Sequence, residues 1–289
     1  MAPKNNDSTS ASAPTTAGAS SPVPIKNALN LEVKHAPFTH PELRGEFPTK
    51  TYDPIPVLPY EDRALKADPT FKNLLADATV THLEPKIGTE VSGLQLHELT
   101  DAQKDELALL VAQRGVVFFR DQKISIEEQH FNQWVWHSDV SYERQAYERL
   151  TPQFKKFVEG LTATHSSKLQ AEATIAQGRT LHRPIVEFEH PVVRTHPVTK
   201  RKALYVNSEF TTRINNLSTT ESVLRFLTNH IAQGHEFQIR YHWTKDAVAI
   251  WDNRVTAHYA TFDYLPGKRH AVRVTPHGEV PYLEHPEKL

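Results

Sequence analysis

The chain has 289 residues, enough to bury a substantial core in one or two domains. Its 33 Lys and Arg residues almost balance its 34 Asp and Glu residues, which argues against nucleic acid or an anionic membrane as a partner. The chain contains no cysteine, so disulfides and thiolate ligands are excluded, and any metal must be bound by His and carboxylate groups.

The sequence also leads to an expectation about location. No apolar run approaches the roughly 20 residues that span a bilayer, and the first residues lack the apolar core of a secretory signal. Together with the absence of cysteine, these features predict a cytoplasmic protein without membrane contact. Assembly into a homo-oligomer is left open.

The first quarter of the chain carries few signals of regular structure. Residues 1–35 are rich in Ser, Thr, Ala and Pro and have almost no large apolar side chains, so we expect a disordered tail. Prolines are frequent in residues 36–75, which predicts an extended lead-in that wraps over the folded part. Residues 36–289 are expected to form one domain.

Helices are predicted from the residues at their ends. Thr100 with Gln103 forms a capping-box pattern, and Gly115 closes the helix that follows. Further helix starts are predicted from N-terminal residues of the same kind: Ser125 with Glu128, Thr151 with Pro152, and Ser218 with Glu221, whose helix ends near Gly234.

Strands are predicted from short apolar or alternating runs. Residues 116–119 are all apolar, which is typical of a buried strand. The other predicted strands are residues 79–83, 89–91, 192–195, 203–206, 237–241, 247–251 and 270–274. Short strands with interleaved helices and no Gly-rich phosphate loop favour a mainly β fold with flanking helices, a β-sandwich or jelly roll.

A His-x-Asp pair stands near the middle of the chain. His137 and Asp139 are two residues apart, so on a strand both side chains leave the same face. His258 from another strand would complete a 2-His-1-carboxylate triad, which leaves positions open on a ferrous ion. The pair alone is weak evidence, and His258 is equally compatible with a structural histidine in a loop. Asp252 and Arg254 are expected to pair or to cap the turn before it.

Two arginines follow the third histidine of this set. Arg269 and Arg273 are four apart, so on a strand they share a side at about 13 Å from each other. Inward guanidiniums require anions, and arginine forms bidentate pairs with carboxylate and sulfonate-like groups. The alternative is that one or both point to solvent.

These motifs occur together with others, and the chain resembles the taurine dioxygenase family of iron(II)- and 2-oxoglutarate-dependent dioxygenases, especially its sulfonate dioxygenase members. The stretches that carry the resemblance are residues 114–122, 136–140, 193–197, 206–214, 249–254, 258–260 and 263–266. The resemblance implies a double-stranded β-helix (jelly roll). It also implies that Fe(2+), 2-oxoglutarate and O2 oxidise a small anionic substrate. An alkyl sulfonate such as taurine would give sulfite, an aldehyde, succinate and CO2.

The resemblance further implies roles for individual residues. The three that match the family's iron ligands are His137, Asp139 and His258. Arg269 matches the arginine that pairs with the distal carboxylate of 2-oxoglutarate, and Arg273 matches the one that faces the substrate's anionic group. Phe210 lies where the family has an aromatic wall of the substrate pocket, and Trp251 is expected to be a core residue under the site.

The chain departs from the family pattern at two places. It is shortened near residues 134–136, where the family has substrate-contacting His, Tyr and Asn residues. It is shortened again near residues 145–146, where the family has a turn whose threonine binds 2-oxoglutarate. Loops left out of the numbering, a shortened gene product and a genuine deletion would each explain this.

Two other functions stay open on these grounds. A catalytically impaired or inactive relative would keep the fold and bind a small acid, which the shortened segments favour. A zinc-dependent hydrolase would use the same three ligands. It is less favoured because no general base is evident and because the paired arginines suit a dicarboxylate better.

Overall fold

The structure is a computed structural model that describes residues 49–57, 59–125, 139–261 and 271–284, with residues 139–142 described by their backbone. The strands are β1 (Thr79–His82), β2 (Thr89–Ser92), β3 (Val116–Phe119), β4 (Asp139–Tyr142), β5 (Thr162–Ser166), β6 (Glu187–Pro191), β7 (Val193–Thr195), β8 (Lys202–Leu204), β9 (Thr211–Ile214), β10 (Gln238–Ile239), β11 (Val248–Trp251) and β12 (Thr256–Tyr259). The α-helices are α1 (Asp101–Arg114), α2 (Glu143–Glu148), α3 (Pro152–Glu159), α4 (Lys168–Ala176) and α5 (Thr220–Ala232). Within these ranges no helix has the length and apolar character that crossing a membrane requires.

The strands of the described ranges form four sheets. The largest has the order β1-β2-β3-β11, with β2 and β3 parallel and the other pairs antiparallel. Two antiparallel sheets of three strands have the orders β10-β4-β12 and β6-β5-β9, and β7 pairs with β8. The predicted mainly β fold with flanking helices is therefore confirmed.

The centre of the core is β3, whose four residues are all apolar and fully buried. It pairs with β2 on one side and with β11 on the other, so no edge of it is open. Phe118 stacks on Tyr241 with a distance of 3.9 Å between the ring centroids. The buried strand predicted from the apolar run at 116–119 is confirmed, and β11 is held against it.

α1 begins and ends as the sequence predicts. The Thr100 hydroxyl accepts a hydrogen bond from the Gln103 amide at 3.4 Å, and the Gln103 side-chain oxygen accepts one from the Thr100 amide at 2.9 Å. Gly115 follows the helix with φ 75°, a conformation that favours glycine. α3 also begins as predicted, with Thr151 as N-cap and Pro in the first turn.

The helix predicted from Ser218 is confirmed as α5, but its N-cap is one residue later than predicted. The N-cap is Thr219, whose side chain makes no capping hydrogen bond. The hydroxyl of Thr220 is instead bound to the backbone N–H and C=O of Ile214, both at 2.7 Å. This contact with β9 sets where the helix begins, and the helix ends two residues before Gly234.

The strand predicted over residues 270–274 is not present in its described part. Residues 271–274 have no ladder partner among the described residues, and an alternating pattern needs such a partner to become a strand. The helix predicted from Ser125 and the tail at 1–35 lie outside the described residues. The sequence also left unpredicted several elements: β5, β6, β9, α2 and α4.

The described part of the lead-in lies along the domain in irregular conformation. The Tyr52 amide donates to the carbonyl of His182 at 2.6 Å, and the Tyr60 hydroxyl is 3.1 Å from a guanidinium nitrogen of Arg254. These contacts join residues that are distant in the sequence. The prediction that this segment wraps over the domain holds for the part that is described.

The two helix N-caps allow a matched test. Thr100→Ala removes the capping hydrogen bond of α1 and should lower the free energy of unfolding by about 1 kcal/mol. Thr219→Ala removes a hydroxyl that makes no capping bond and should change it by less than about 0.5 kcal/mol. Urea unfolding of both variants measures the difference, and equal effects would contradict the assignment of the two caps.

Candidate metal and anion site

The predicted site residues are only partly within the described ranges. His137 and Arg269 lie outside them. Asp139 is the first residue of β4 and is described by its backbone. His258 lies on β12, not in a loop, and Arg273 lies in the irregular segment 271–284.

The pairing of β4 with β12 brings two predicted metal ligands onto neighbouring strands. The ladder places Tyr259 opposite Asp139 and His258 opposite Val140, so Asp139 and His258 are one position out of register. Residues directly opposite in a regular antiparallel pair share a face. Asp139 is, however, the first residue of its strand. The regular ladder by itself therefore does not place Asp139 and His258 on one face.

One indole ring contacts two of the predicted site residues. The ring centroid of Trp251 is 5.4 Å from that of His258, and the central guanidinium carbon of Arg273 is 5.3 Å from the same indole centroid. The imidazole and the guanidinium are therefore no more than about 11 Å apart. Trp251 itself is buried at the end of β11, and its Nε1–H donates to the Asn253 side chain at 2.6 Å.

Arg273 makes no hydrogen bond or ion pair with any residue that the structure describes. Its contact is the cation–π interaction with Trp251. Partial burial lowers the pKa of the Arg273 guanidinium, although the side chain still reaches solvent. A partly desolvated positive charge with no carboxylate partner within the described ranges is a favourable partner for a ligand anion.

His258 also lines a cavity of about 540 Å³. The walls of this cavity come from β10, β12, α5 and residues 206–208. Phe210, the predicted aromatic wall, is partly buried in the turn before β9 and is not among the described residues that line the cavity. The structure thus brings the segment before Phe210 to His258, but not the phenyl ring itself.

The donor set fits a ferrous ion. The chain has no cysteine, so the ligands on offer are imidazoles and carboxylates, as in a 2-His-1-carboxylate site. His258 is exposed at the cavity, and Asp139 lies on the adjacent strand. In the part of the chain that the structure describes, no group of three His, Asp or Glu side chains forms a competing metal site.

A buried ionic network fixes the turn between β11 and β12. The Asp252 carboxylate accepts hydrogen bonds from Arg254 Nε and Nη2, both at 2.7 Å, and lies 2.9 Å from His196 Nε2. Two backbone N–H groups, of Val198 and Thr199, donate to His196 Nδ1. Because Nδ1 is an acceptor, Nε2 carries the proton and donates to Asp252. The predicted pairing of Asp252 with Arg254 is confirmed.

The electrostatics of this network follow from burial and charge. Burial by itself raises the pKa of Asp252, but the charge of Arg254 and the hydrogen bonds from Arg254 and His196 outweigh it and hold that pKa well below its usual range. Asp252 is thus a carboxylate at every ordinary pH. Its partners keep the turn that joins Trp251 to His258 in one conformation.

The same network ties both ends of the described chain to this turn. Arg254 Nη1 is 2.6 Å from Asp62 of the lead-in and 3.5 Å from Glu279 of the C-terminal segment. Glu279 also pairs with the buried Arg194. The contact between His196 and Asp252 was not predictable from a sequence motif, since it joins polar residues 56 positions apart.

Comparison with known proteins identifies the family. The family model described as taurine catabolism dioxygenase TauD, TfdA family, matches residues 79–136 and 137–275. An alpha-ketoglutarate-dependent sulfonate dioxygenase of Saccharomyces cerevisiae is 36% identical over 314 residues, which cover 81% of this chain and 76% of that protein. The chain belongs to the TauD/TfdA family of dioxygenases, and the resemblance and the enzyme class predicted from the sequence are confirmed.

A second relative and two solved structures agree with this. The alpha-ketoglutarate-dependent dioxygenase cnsM of Penicillium expansum is 36% identical over 316 residues, with 80% of this chain and 88% of that protein covered. AAD-2 in complex with Mn(II) and N-oxalylglycine has a TM-score of 0.53 at 24% identity, with 62% of this chain and 89% of AAD-2 covered. A taurine dioxygenase from Burkholderia xenovorans has the same TM-score and identity, over 65% of this chain and 85% of that one. At this identity the structures show the fold alone.

The alignments also reveal a difference in length. Both relatives align over more residues, 314 and 316, than the 289 of the whole chain, although about four fifths of this chain is covered. Residues of the relatives inside the matched region therefore have no counterpart here. The family model matches in two segments that meet between Trp136 and His137.

The ionic network leads to a stability prediction. Arg254→Ala leaves the Asp252 carboxylate buried without its main partner and should lower the free energy of unfolding by about 3–5 kcal/mol. The matched control is Arg149→Ala, which breaks a half-exposed ion pair with Glu236 and should cost at most about 1 kcal/mol. Urea unfolding distinguishes them, and a small effect of Arg254→Ala would show that the network does not stabilise the fold.

Proposed function

We propose that this protein is an iron(II)- and 2-oxoglutarate-dependent dioxygenase that oxidises a small alkyl sulfonate. The observation that carries the proposal is the contact of His258 and Arg273 with one indole. A predicted metal ligand lies within about 11 Å of a cation that has no ion pair with any residue the structure describes. The names of relatives that depend on alpha-ketoglutarate and act on sulfonates support the cosubstrate and the substrate class.

The proposed site assigns residues to each requirement of the reaction. The residues that would hold Fe(II) are His137, Asp139 and His258. Arg269 would pair with the far carboxylate of 2-oxoglutarate, and Arg273 would bind the sulfonate. A role for Phe210 beside the substrate would need its ring to move toward the cavity, which Asn207 and Ser208 line in this structure. Together with 2-oxoglutarate and O2, the bound iron supplies oxidation of a C–H bond. We assign the fold around it to the jelly-roll type.

The protein's own groups would orient the substrate. The donor fork of Arg273 can donate to two of the three oxygens of a sulfonate, and the Trp251 ring contacts both the guanidinium and His258. The upper limit of about 11 Å between the two groups favours a short substrate. Its anionic end would contact Arg273 while a carbon one or two bonds away lies next to the metal.

The proposed products follow from which carbon is oxidised. One oxygen atom of O2 enters succinate as 2-oxoglutarate loses CO2, and the other becomes a hydroxyl group on the substrate. Hydroxylation of the carbon bonded to sulfur gives a compound whose C–S bond breaks. The hydroxyl proton is lost, the carbon becomes an aldehyde, and sulfite leaves with the bonding electron pair.

A second candidate is an impaired relative that keeps the fold and binds a small acid. Two observations favour it: the alignments longer than the chain, and the family match that divides at residue 136. In addition, three polar residues next to the second shortened place, Glu143, Arg144 and Gln145, are buried. Burial raises the pKa of Glu143 well above its usual range, against the opposing charge of Arg194. Such an interior is costly unless further polar groups cover it.

The activity test compares two forms of the enzyme. The chain as sequenced should turn over 2-oxoglutarate slowly, with little sulfite per succinate. A form with the corresponding segments of the Saccharomyces cerevisiae relative inserted at 136/137 and 145/146 should release sulfite and succinate in equal amounts when given taurine or a longer alkyl sulfonate. Asp139→Ala in the second form is the inactive control. Coupled activity of the chain as sequenced would exclude the impaired relative, and no sulfite from either form would exclude the sulfonate.

A second test separates the two arginines. Arg269→Ala should raise the apparent KM for 2-oxoglutarate, because a carboxylate loses a charge-assisted partner at a cost of about 2–5 kcal/mol. Arg273→Ala should weaken binding of the sulfonate and leave that of 2-oxoglutarate nearly unchanged. Steady-state kinetics with each substrate varied in turn measures both, and each variant serves as the control for the other. The same defect in both would contradict the proposed division of roles.

A further inference from the structure

We propose that Trp251 is a positioning residue that holds Arg273 in place for an anion beside His258. The family resemblance predicted only a core residue at this position. The structure gives Trp251 three contacts that a core residue does not need: the His258 ring, the Arg273 guanidinium and the Asn253 side chain. The inference deepens the proposed function, on which its substrate-binding step rests.

The side chain of Arg273 needs a contact that fixes its position. It lies in residues 271–284, which form no strand among the described residues, so no ladder fixes its backbone. The contacts that hold this segment lie further on, where the Thr195 amide donates to the Tyr282 carbonyl at 2.7 Å and Glu279 pairs with Arg194 and Arg254. A long arginine side chain on such a segment has many rotamers, and the indole restricts them.

Trp251 is itself held in a fixed position. It is 3% exposed, ends β11 and lies opposite Val116 in the central sheet. Its Nε1–H is bound to Asn253, and the next residue is the buried Asp252 of the ionic network. A ring fixed in this way keeps one orientation relative to Arg273. Among aromatic side chains, the indole of tryptophan is the best partner for a cation.

The contact with the Trp251 ring does not neutralise the positive charge of Arg273. A carboxylate partner would hold Arg273 equally well but would neutralise it. Among the described residues no carboxylate does so, and the contact with Trp251 does not itself use the N–H donors at the edge of the guanidinium. Trp251 thereby fixes the distance from the anion-binding group to His258 without competing for the anion.

The direct test is NMR of the metal-free protein with 15N-labelled arginine. The side-chain signals of Arg273, assigned from their loss in Arg273→Lys, should be shifted upfield by the ring current of Trp251. The shift should vanish in Trp251→Leu and be reduced in Trp251→Phe. Trp243→Leu is the matched control, since Trp243 packs against Phe118 and Tyr241. An Arg273 signal that is the same in parent and Trp251→Phe would overturn the inference, even if Trp251→Leu fails to fold.

The functional test measures taurine binding to the protein loaded with Mn(II) and 2-oxoglutarate, which does not turn over. Trp251→Leu should raise the Kd by about 2- to 30-fold and Trp251→Phe by less, while Trp243→Leu leaves it unchanged. The double variant Trp251→Leu/Arg273→Leu should bind no more weakly than Arg273→Leu alone, because both remove the same interaction.

The outcomes separate the inference from the proposed function. If Arg273→Leu weakens taurine binding but neither Trp251 variant does, the positioning role is wrong and the proposed function stands. If Arg273→Leu itself leaves the Kd for taurine unchanged, Arg273 does not bind the sulfonate. Trp251 then cannot position taurine through Arg273. Weaker binding in both single variants, without further loss in the double variant, supports both.

Discussion

The carboxylate of Asp252 is buried between a guanidinium and an imidazole, and the geometry around the candidate site depends on these contacts. Arg254 and His196 together satisfy both of its oxygens. A buried charge tolerates little displacement, because each lost hydrogen bond leaves it uncompensated. The turn after β11 is therefore held in one conformation. Trp251 precedes this turn and His258 follows it, so the conformation of the turn sets the position of the two rings relative to each other.

The site combines two kinds of support. His258 and Asp139 are on paired strands, where the ladder fixes the backbone. Arg273 is on an irregular segment and is held by a side chain and by the ion pairs of Glu279. Metal ligands need a placement accurate to a fraction of an ångström, whereas an anion tolerates a range of distances. The more rigid element therefore carries the group with the stricter requirement.

What could be predicted from the sequence was local, or was carried by family motifs. The capping box at Thr100 and the buried strand at 116–119 were found because neighbouring residues determine them. The contact between His196 and Asp252 was not found, because two polar residues far apart leave no periodic pattern. Residues 271–274 alternate as a strand would, but only a partner strand turns such a pattern into one. The shared contact with one indole depends on the turn after β11 and could be seen only in the structure.

The network also constrains the order in which the chain can fold. Asp62 and Arg254 are 192 residues apart in the sequence, and at the usual rate of synthesis this separation corresponds to about 10–40 s on the ribosome. Until Arg254 has been synthesised, Asp62 lacks the guanidinium that neutralises it, and burying Asp62 earlier would be unfavourable. The part of the lead-in around Asp62 is therefore expected to stay hydrated until that point. The contacts that make the site rigid therefore form late, after the segment that contains Arg254 has been made.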